Sequence, residues 1–142
     1  MKIKVQGLPS LPLLLSLVLF PAITAAQQGA PGGEWPDYGG DLGSTKFAPL
    51  SQINEINVEN VSVAWMWHSP DDELVAENPR LRPGAFKATP LMVDGVLYIQ
   101  TSLSLLAAID AASGEQLWAF DPLSHEAGRP VNLGFNARGV AH

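Results

Sequence analysis

The stretch TPLMVDGVLYIQTSLSLLAAIDAASGEQLWAF, Thr89 to Phe120, constrains the fold more than any other part of the chain. Short apolar runs alternate with tight turn signals, and none carries the 3.6-residue period of a helix. Thr89 to Val93 reads as a strand. Asp94-Gly95 is a two-residue hairpin turn, since both centre positions of such a turn take positive φ. Val96 to Thr101 is the returning strand, Ser104 to Asp110 a third and Glu115 to Phe120 a fourth, with a turn over Ala111 to Gly114. Short antiparallel strands with no helix between them make the class all-β. A sandwich and a propeller blade both fit such a meander. A four-stranded blade takes about 40–45 residues, and Thr89 to Phe120 nearly fills one. The 107–118 pattern has no second copy in the 142 residues, and a repeat fold needs about three units to bury a core. The blade reading therefore makes this chain a piece of a larger protein.

The flanks are less regular. Gln27 to Gly33 is a flexible lead, and Glu34 to Ile53 after it is too rich in Gly, Pro and Asp for regular structure. It nevertheless carries Trp35, Tyr38 and Phe47, which suits an ordered arm packed on a neighbouring surface rather than a disordered tail. NEINVENV, Asn54 to Val61, suits a short helical turn capped by Ser51 or Asn54, with Ile53, Ile56 and Val61 facing inward. Val63 to Ser69 alternates, with Val63, Trp65 and Trp67 on one face, so a strand with both faces partly covered is expected. Pro70 to Pro83 reads as a polar loop whose Asp71-Asp72-Glu73 run is solvated. Hard cations want convergent rather than consecutive carboxylates.

Residues 1–26 have the layout of a secretory signal peptide. Lys2 and Lys4 open it, and Leu11 to Ala26 runs apolar into small residues, with cleavage expected after Ala26. A retained membrane anchor is the alternative, although the apolar run is shorter than the roughly 18 residues a spanning helix needs. Loss of residues 1–26 removes two of the eight basic and none of the fourteen acidic residues, moving the net formal charge from −6 to −8. An acidic chain without a basic run is a poor candidate for nucleic acid. The chain has no cysteine. An exported domain of this kind must be held by burial alone, and thiol chemistry and Cys-ligated metal sites are excluded.

AAIDAASGEQLW, Ala107 to Trp118, has a position-by-position logic. Asp110 can accept backbone N–H bonds across the turn. Gly114 takes a positive-φ position. Trp118 offers a flat face on an outer strand. An ordinary hairpin with a core Trp has the same features. The stretch resembles the tryptophan-docking repeat of quinoprotein dehydrogenases, A-x-D-x-x-[ST]-G-x-x-x-W. Four further segments add to that resemblance: GEWPDYGGDLGSTKFAPLSQIN from Gly33 to Asn54, NVENVSVAWMW after it, FKATPLMVDGVLYIQTS from Phe86 to Ser102, and LGFNARGVAH from Leu133 to His142. From Gly33 onward the chain resembles the alcohol and sugar dehydrogenases that depend on pyrroloquinoline quinone (PQQ), and within them the glucose-dehydrogenase-like proteins.

The resemblance implies an eight-bladed β-propeller with tryptophan-docking motifs, of which this chain is an N-terminal fragment. It further implies an arm with a helical turn over 27–62, the start of the propeller over 63–142, and a first blade at about 86–122. It implies PQQ near the propeller axis and a calcium ion acting on the quinone as a Lewis acid. A carboxylate base and the calcium ligands would lie beyond His142, so no residue here is assigned a catalytic or metal role. The substrate would be a small alcohol or sugar, and the electron acceptor a ubiquinone or a cytochrome. The enzyme would be periplasmic, or on the periplasmic face of a membrane with which it associates.

Two residues are expected at the cofactor. Arg138 matches the arginine of the family's R-G-V segment. A guanidinium is always charged and presents a planar fork of donors to adjacent oxygens, and Gly134 and Gly139 suggest close backbone approach around it. A surface Arg paired with a carboxylate is the plain alternative. Lys87 departs from the pattern F-E-A-[ST]-P-L of many members. It would reverse the local charge and pair with a quinone carboxylate, unless its head simply stays in water. Asn132-Leu133 stands where the methanol-oxidising branch has an adjacent cysteine pair. His142 ends the chain where relatives show an aromatic residue or His, and lining the site or lying there incidentally are both open to it. His68 and His125 read as structural or solvated. Two other functions stay open: a non-catalytic propeller scaffold of the outer-membrane assembly type, and a small independent β domain.

Overall fold

The computed structural model describes residues 29–130 and 134–142. The expected signal peptide and the Asn132-Leu133 position lie outside the described residues. Among those described, no helix is long and apolar enough to cross a membrane.

Four strands form one antiparallel sheet in chain order: β1 (Leu91–Val93), β2 (Val96–Gln100), β3 (Leu106–Asp110) and β4 (Gln116–Phe120). The β1–β2 hairpin closes through Val93 opposite Val96, with Asp94 at φ 52° and Gly95 at φ 78°, as a two-residue turn of this type requires. The β2–β3 connection is tied by Thr101, whose N–H donates to the Leu105 carbonyl at 2.8 Å and whose hydroxyl accepts from the Leu105 N–H at 3.0 Å. Between β3 and β4, Ala108 faces Trp118 and Ile109 faces Gln116. Leu117 is thus the extra residue of a bulge, which twists the outer strand.

Burial falls off across the sheet. Ala107, Ala108 and Ile109 of β3 are buried, as is Leu91 of β1, whereas every residue of β4 is exposed. A second cluster lies beside the β2–β3 connection, where Leu81, Leu103, Leu105 and Phe135 pack with Leu74 and Val75.

Those last two residues belong to a helix that the sequence reading missed. Pro70 to Pro83 is not a plain polar loop, for α1 spans Asp71–Glu77. The Ser69 hydroxyl accepts from the Asp71 N–H at 3.2 Å, and Pro70 supplies a fixed φ ahead of an acidic first turn, which together favour a helix start. Asp71 itself is not solvated but 4% exposed. Its carboxylate accepts from the Thr101 hydroxyl at 2.6 Å and the Leu103 N–H at 2.9 Å, fastening α1 to the β2–β3 connection.

Two more expectations are corrected. Val63 to Ser69 is not a strand. It makes no ladder, because its indoles hold it instead: Trp65 Nε1 donates to the Ala111 carbonyl and Trp67 Nε1 to Gln116 Oε1, both at 3.1 Å. Val63 and Met66 stay exposed. The turn after Asn54 ends in a short 3-10 helix at Val58–Asn60, but Ile53, Ile56 and Val61 face solvent rather than inward. Polar side chains close this turn on themselves. Asn54 Oδ1 accepts from the Ile56 N–H, and Asn57 Oδ1 from the Asn54 N–H.

The N-terminal arm adds a bridge to the free edge of β1. Trp35 N–H donates to the Met92 carbonyl at 2.8 Å, and Met92 N–H returns the bond at 3.0 Å. Asp41 closes the arm, accepting from the N–H groups of Gly29 and Thr45 and from the Thr45 hydroxyl. The Thr45 N–H foremost holds its carboxyl below the ordinary value.

Candidate functional site

Lys87 and Arg138 are 51 residues apart in the chain, and the fold brings them together. They line an open depression of about 590 Å³, and Tyr38 of the arm is its third wall. Close backbone approach makes this possible. Gly84 lies so near the Phe135 carbonyl that no side chain fits there. Gly139, at φ 127°, makes a parallel bridge to Thr89 and donates its N–H to Gln100 Oε1 at 3.3 Å. The 135–139 segment therefore runs beside the lead into β1, with Arg138 next to Lys87. Gly134, at φ 66°, starts this segment under the Arg129 guanidinium, and its left-handed backbone favours glycine there.

Both cationic residues are exposed. Among the described residues the only ion pair is His125 Nε2 with Asp121 Oδ2 at 2.8 Å, so neither Lys87 nor Arg138 has a carboxylate partner there. Two like charges share a depression in a chain whose balance is acidic. Such a site attracts an anion with more than one charged group, the guanidinium gripping two oxygens and the ammonium acting as a point charge.

The Ala107–Trp118 motif occupies the other end of the sheet. Asp110 Oδ1 accepts from the N–H groups of Ala112 and Ser113 and from the Ser113 hydroxyl, at 3.1, 2.7 and 2.8 Å. The Ser113 hydroxyl is the chief reason its carboxyl sits below the ordinary value. Gly114 has φ 77°, and a Cβ there would come within 2.5 Å of the Trp65 ring. Trp118 is 44% exposed on β4, tilted against Tyr98 at 6.1 Å between ring centres. His142 lines a smaller cavity with Trp118 and Tyr98, apart from the cationic depression. His68 is exposed. His125 is structural: burial pushes the Asp121 carboxyl up, but the bond to His125 and the Leu123 N–H together hold it below its ordinary value.

Tyr38 is the site residue that sequence reading missed as such. Its signal was the turn Asp37-Tyr38-Gly39-Gly40, where one exposed aromatic stands among turn formers.

The profile of the glucose/ethanol/alcohol dehydrogenase β-propeller domain, a PQQ family, matches residues 35–142. The chain belongs to this family. Within this dehydrogenase family it is 40% identical over 101 residues to the quinohemoprotein alcohol dehydrogenase ADH IIB of Pseudomonas putida, covering 71% of this chain and 13% of that protein. It is 38% identical over 91 residues to the quinoprotein glucose dehydrogenase of Escherichia coli K12, covering 63% of this chain and 11% of that one. The crystal structure of the quinohemoprotein alcohol dehydrogenase of Comamonas testosteroni superposes with a TM-score of 0.50 at 32% identity, over 63% of this chain and 12% of that one. The chain thus spans about an eighth of the relatives it matches, and its four-stranded sheet belongs to a propeller domain of this family. The donor set suits PQQ, an ortho-quinone with three carboxyl groups, because Lys87 and Arg138, with no carboxylate partner among the described residues, flank one depression. Calcium finds no such set, since no group of three or more His, Cys, Asp or Glu comes together among the described residues.

Proposed function

We propose that the chain is the N-terminal part of an exported quinoprotein oxidoreductase that oxidises the CH–OH group of an alcohol or an aldose and passes the electrons to a quinone or a cytochrome. The observation that carries this reading is the meeting of Lys87 and Arg138 in one depression without a carboxylate partner among the described residues. When bound, PQQ supplies the two-electron acceptor for such a carbon. This chain's part is to hold it. The Arg138 fork suits adjacent oxygens and the Lys87 ammonium suits a carboxylate. Trp118, half exposed on β4, serves to stack on the following blade of an eight-bladed ring. The leader-like residues 1–26 support export to the periplasm, and calcium belongs to parts of the protein outside this chain.

The test is reconstitution of the complete gene product. PQQ with calcium should switch on dye-linked oxidation of ethanol, 1-butanol or glucose, and Arg138→Gln should weaken PQQ binding about 10- to 100-fold, the worth of a hydrogen bond to a charged group. A product that binds no PQQ contradicts the reading and leaves the propeller scaffold in its place.

A further inference from the structure

We infer that Tyr38 is a cofactor-positioning residue, its phenol hydroxyl donating to the anion held by Lys87 and Arg138; this rests on the proposed function above. Tyr38 is 64% exposed, and an exposed aromatic by itself means little. What distinguishes this one is its foundation and its neighbours. It occupies the second position of the turn Asp37–Gly40, closed by the Gly40 N–H donating to the Asp37 carbonyl at 2.9 Å. Gly39 is wedged against Ser44, and its carbonyl accepts from the Lys46 N–H at 2.8 Å. Gly40, at φ 89°, lies on the Trp35 ring, where a Cβ would meet ring carbons at 3.2 Å. Trp35 is bonded in both directions to Met92 of β1. The turn is therefore fixed to the same strand that Lys87 leads into, and only the side-chain torsions of Tyr38 remain free.

The third wall of the depression is thus delivered by the arm rather than by the sheet. Among the described residues the Tyr38 hydroxyl has no hydrogen-bond partner, and neither cation stacks on its ring. An aromatic body with a free donor at its tip suits a flat, oxygen-rich anion, whose ring plane it can bound while the hydroxyl meets a carboxylate. In consequence the arm takes part in holding the cofactor.

The experiment titrates PQQ into the complete, PQQ-free gene product and follows tryptophan fluorescence, for the wild type, Tyr38→Phe, Tyr38→Leu, Lys87→Gln and Arg138→Gln. Tyr38→Phe should raise the Kd about ten-fold, the lower end of what a hydrogen bond to a charged group is worth, and Tyr38→Leu should raise it further. The melting temperature of the PQQ-free protein should not change. If the Lys87 and Arg138 variants bind weakly while both Tyr38 variants bind as wild type, the inference is overturned and the proposed function stands. Unchanged binding in the Lys87 and Arg138 variants overturns the inference by placing the cofactor away from this depression, whereas a wild type that binds no PQQ overturns both the inference and the proposed function. Loss of affinity with a matching fall in melting temperature makes Tyr38 merely structural and also overturns the inference.

Discussion

Asp110 gathers three hydrogen bonds on one carboxylate oxygen, and those bonds favour its charged form. Its carboxyl is lower in the folded chain than its ordinary 3.8, so the unfolded chain takes up the proton first as pH falls. The stability it lends is complete above the unfolded value and fades as pH drops through the folded one. Asp110→Asn should therefore lower the melting temperature of the complete gene product at pH 7, with the gap to wild type closing below about pH 4. A gap that stays constant across that range would contradict this. Gly114→Ala should cost on the order of 2 kcal/mol by chemical denaturation, through crowding against Trp65 and a left-handed φ. Both roles were legible in the sequence because their partners lie within a few residues. Asp71 was not. Its partners Thr101 and Leu103 are 30 and 32 residues away, and a run of three acidic residues reads as surface until the fold folds one of them under. Tyr38 was hidden for the same reason: nothing near it in the chain names Lys87 and Arg138 as neighbours.

At the scale of elements, β1 to β4 could be read because each is bounded by turn chemistry of its own. Val63 to Ser69 had the alternation of a strand without a partner edge, and its two indoles bond to the β3–β4 turn and to β4 instead. Helix α1 was lost among prolines and charges, though Ser69-Pro70-Asp71-Asp72 carries a start signal. The helix matters beyond its seven residues, since Asp71 fastens it over the Leu81, Leu103, Leu105 and Phe135 cluster. Asp71→Ala would leave the Thr101 hydroxyl and the Leu103 N–H buried without an acceptor. It should cost about 3 kcal/mol and lower the urea midpoint with little change in slope. A loss under 0.5 kcal/mol would mean that water replaces the carboxylate.

The described residues build around one sheet with an unfinished side. On β4, Leu117, Trp118 and Phe120 are exposed, and Val63 and Met66 beside them likewise. Soluble proteins rarely leave so much apolar surface open, and units of a repeat fold are stabilised largely by their neighbours. Residues 27–142 expressed alone should bind a hydrophobic dye and melt without a cooperative transition. A sharp, reversible melt would contradict this. In the complete gene product Trp118→Ala should cost about 3 kcal/mol, the scale for removing a buried Trp. The central claim is that the fold joins Lys87 and Arg138 to hold a quinone with acidic oxygens. A crystal structure of the complete gene product with PQQ tests it most directly. Quinone or carboxylate oxygens should lie within hydrogen-bond distance, about 2.7–3.2 Å, of both side chains. PQQ seated elsewhere, with both heads in solvent, would contradict it.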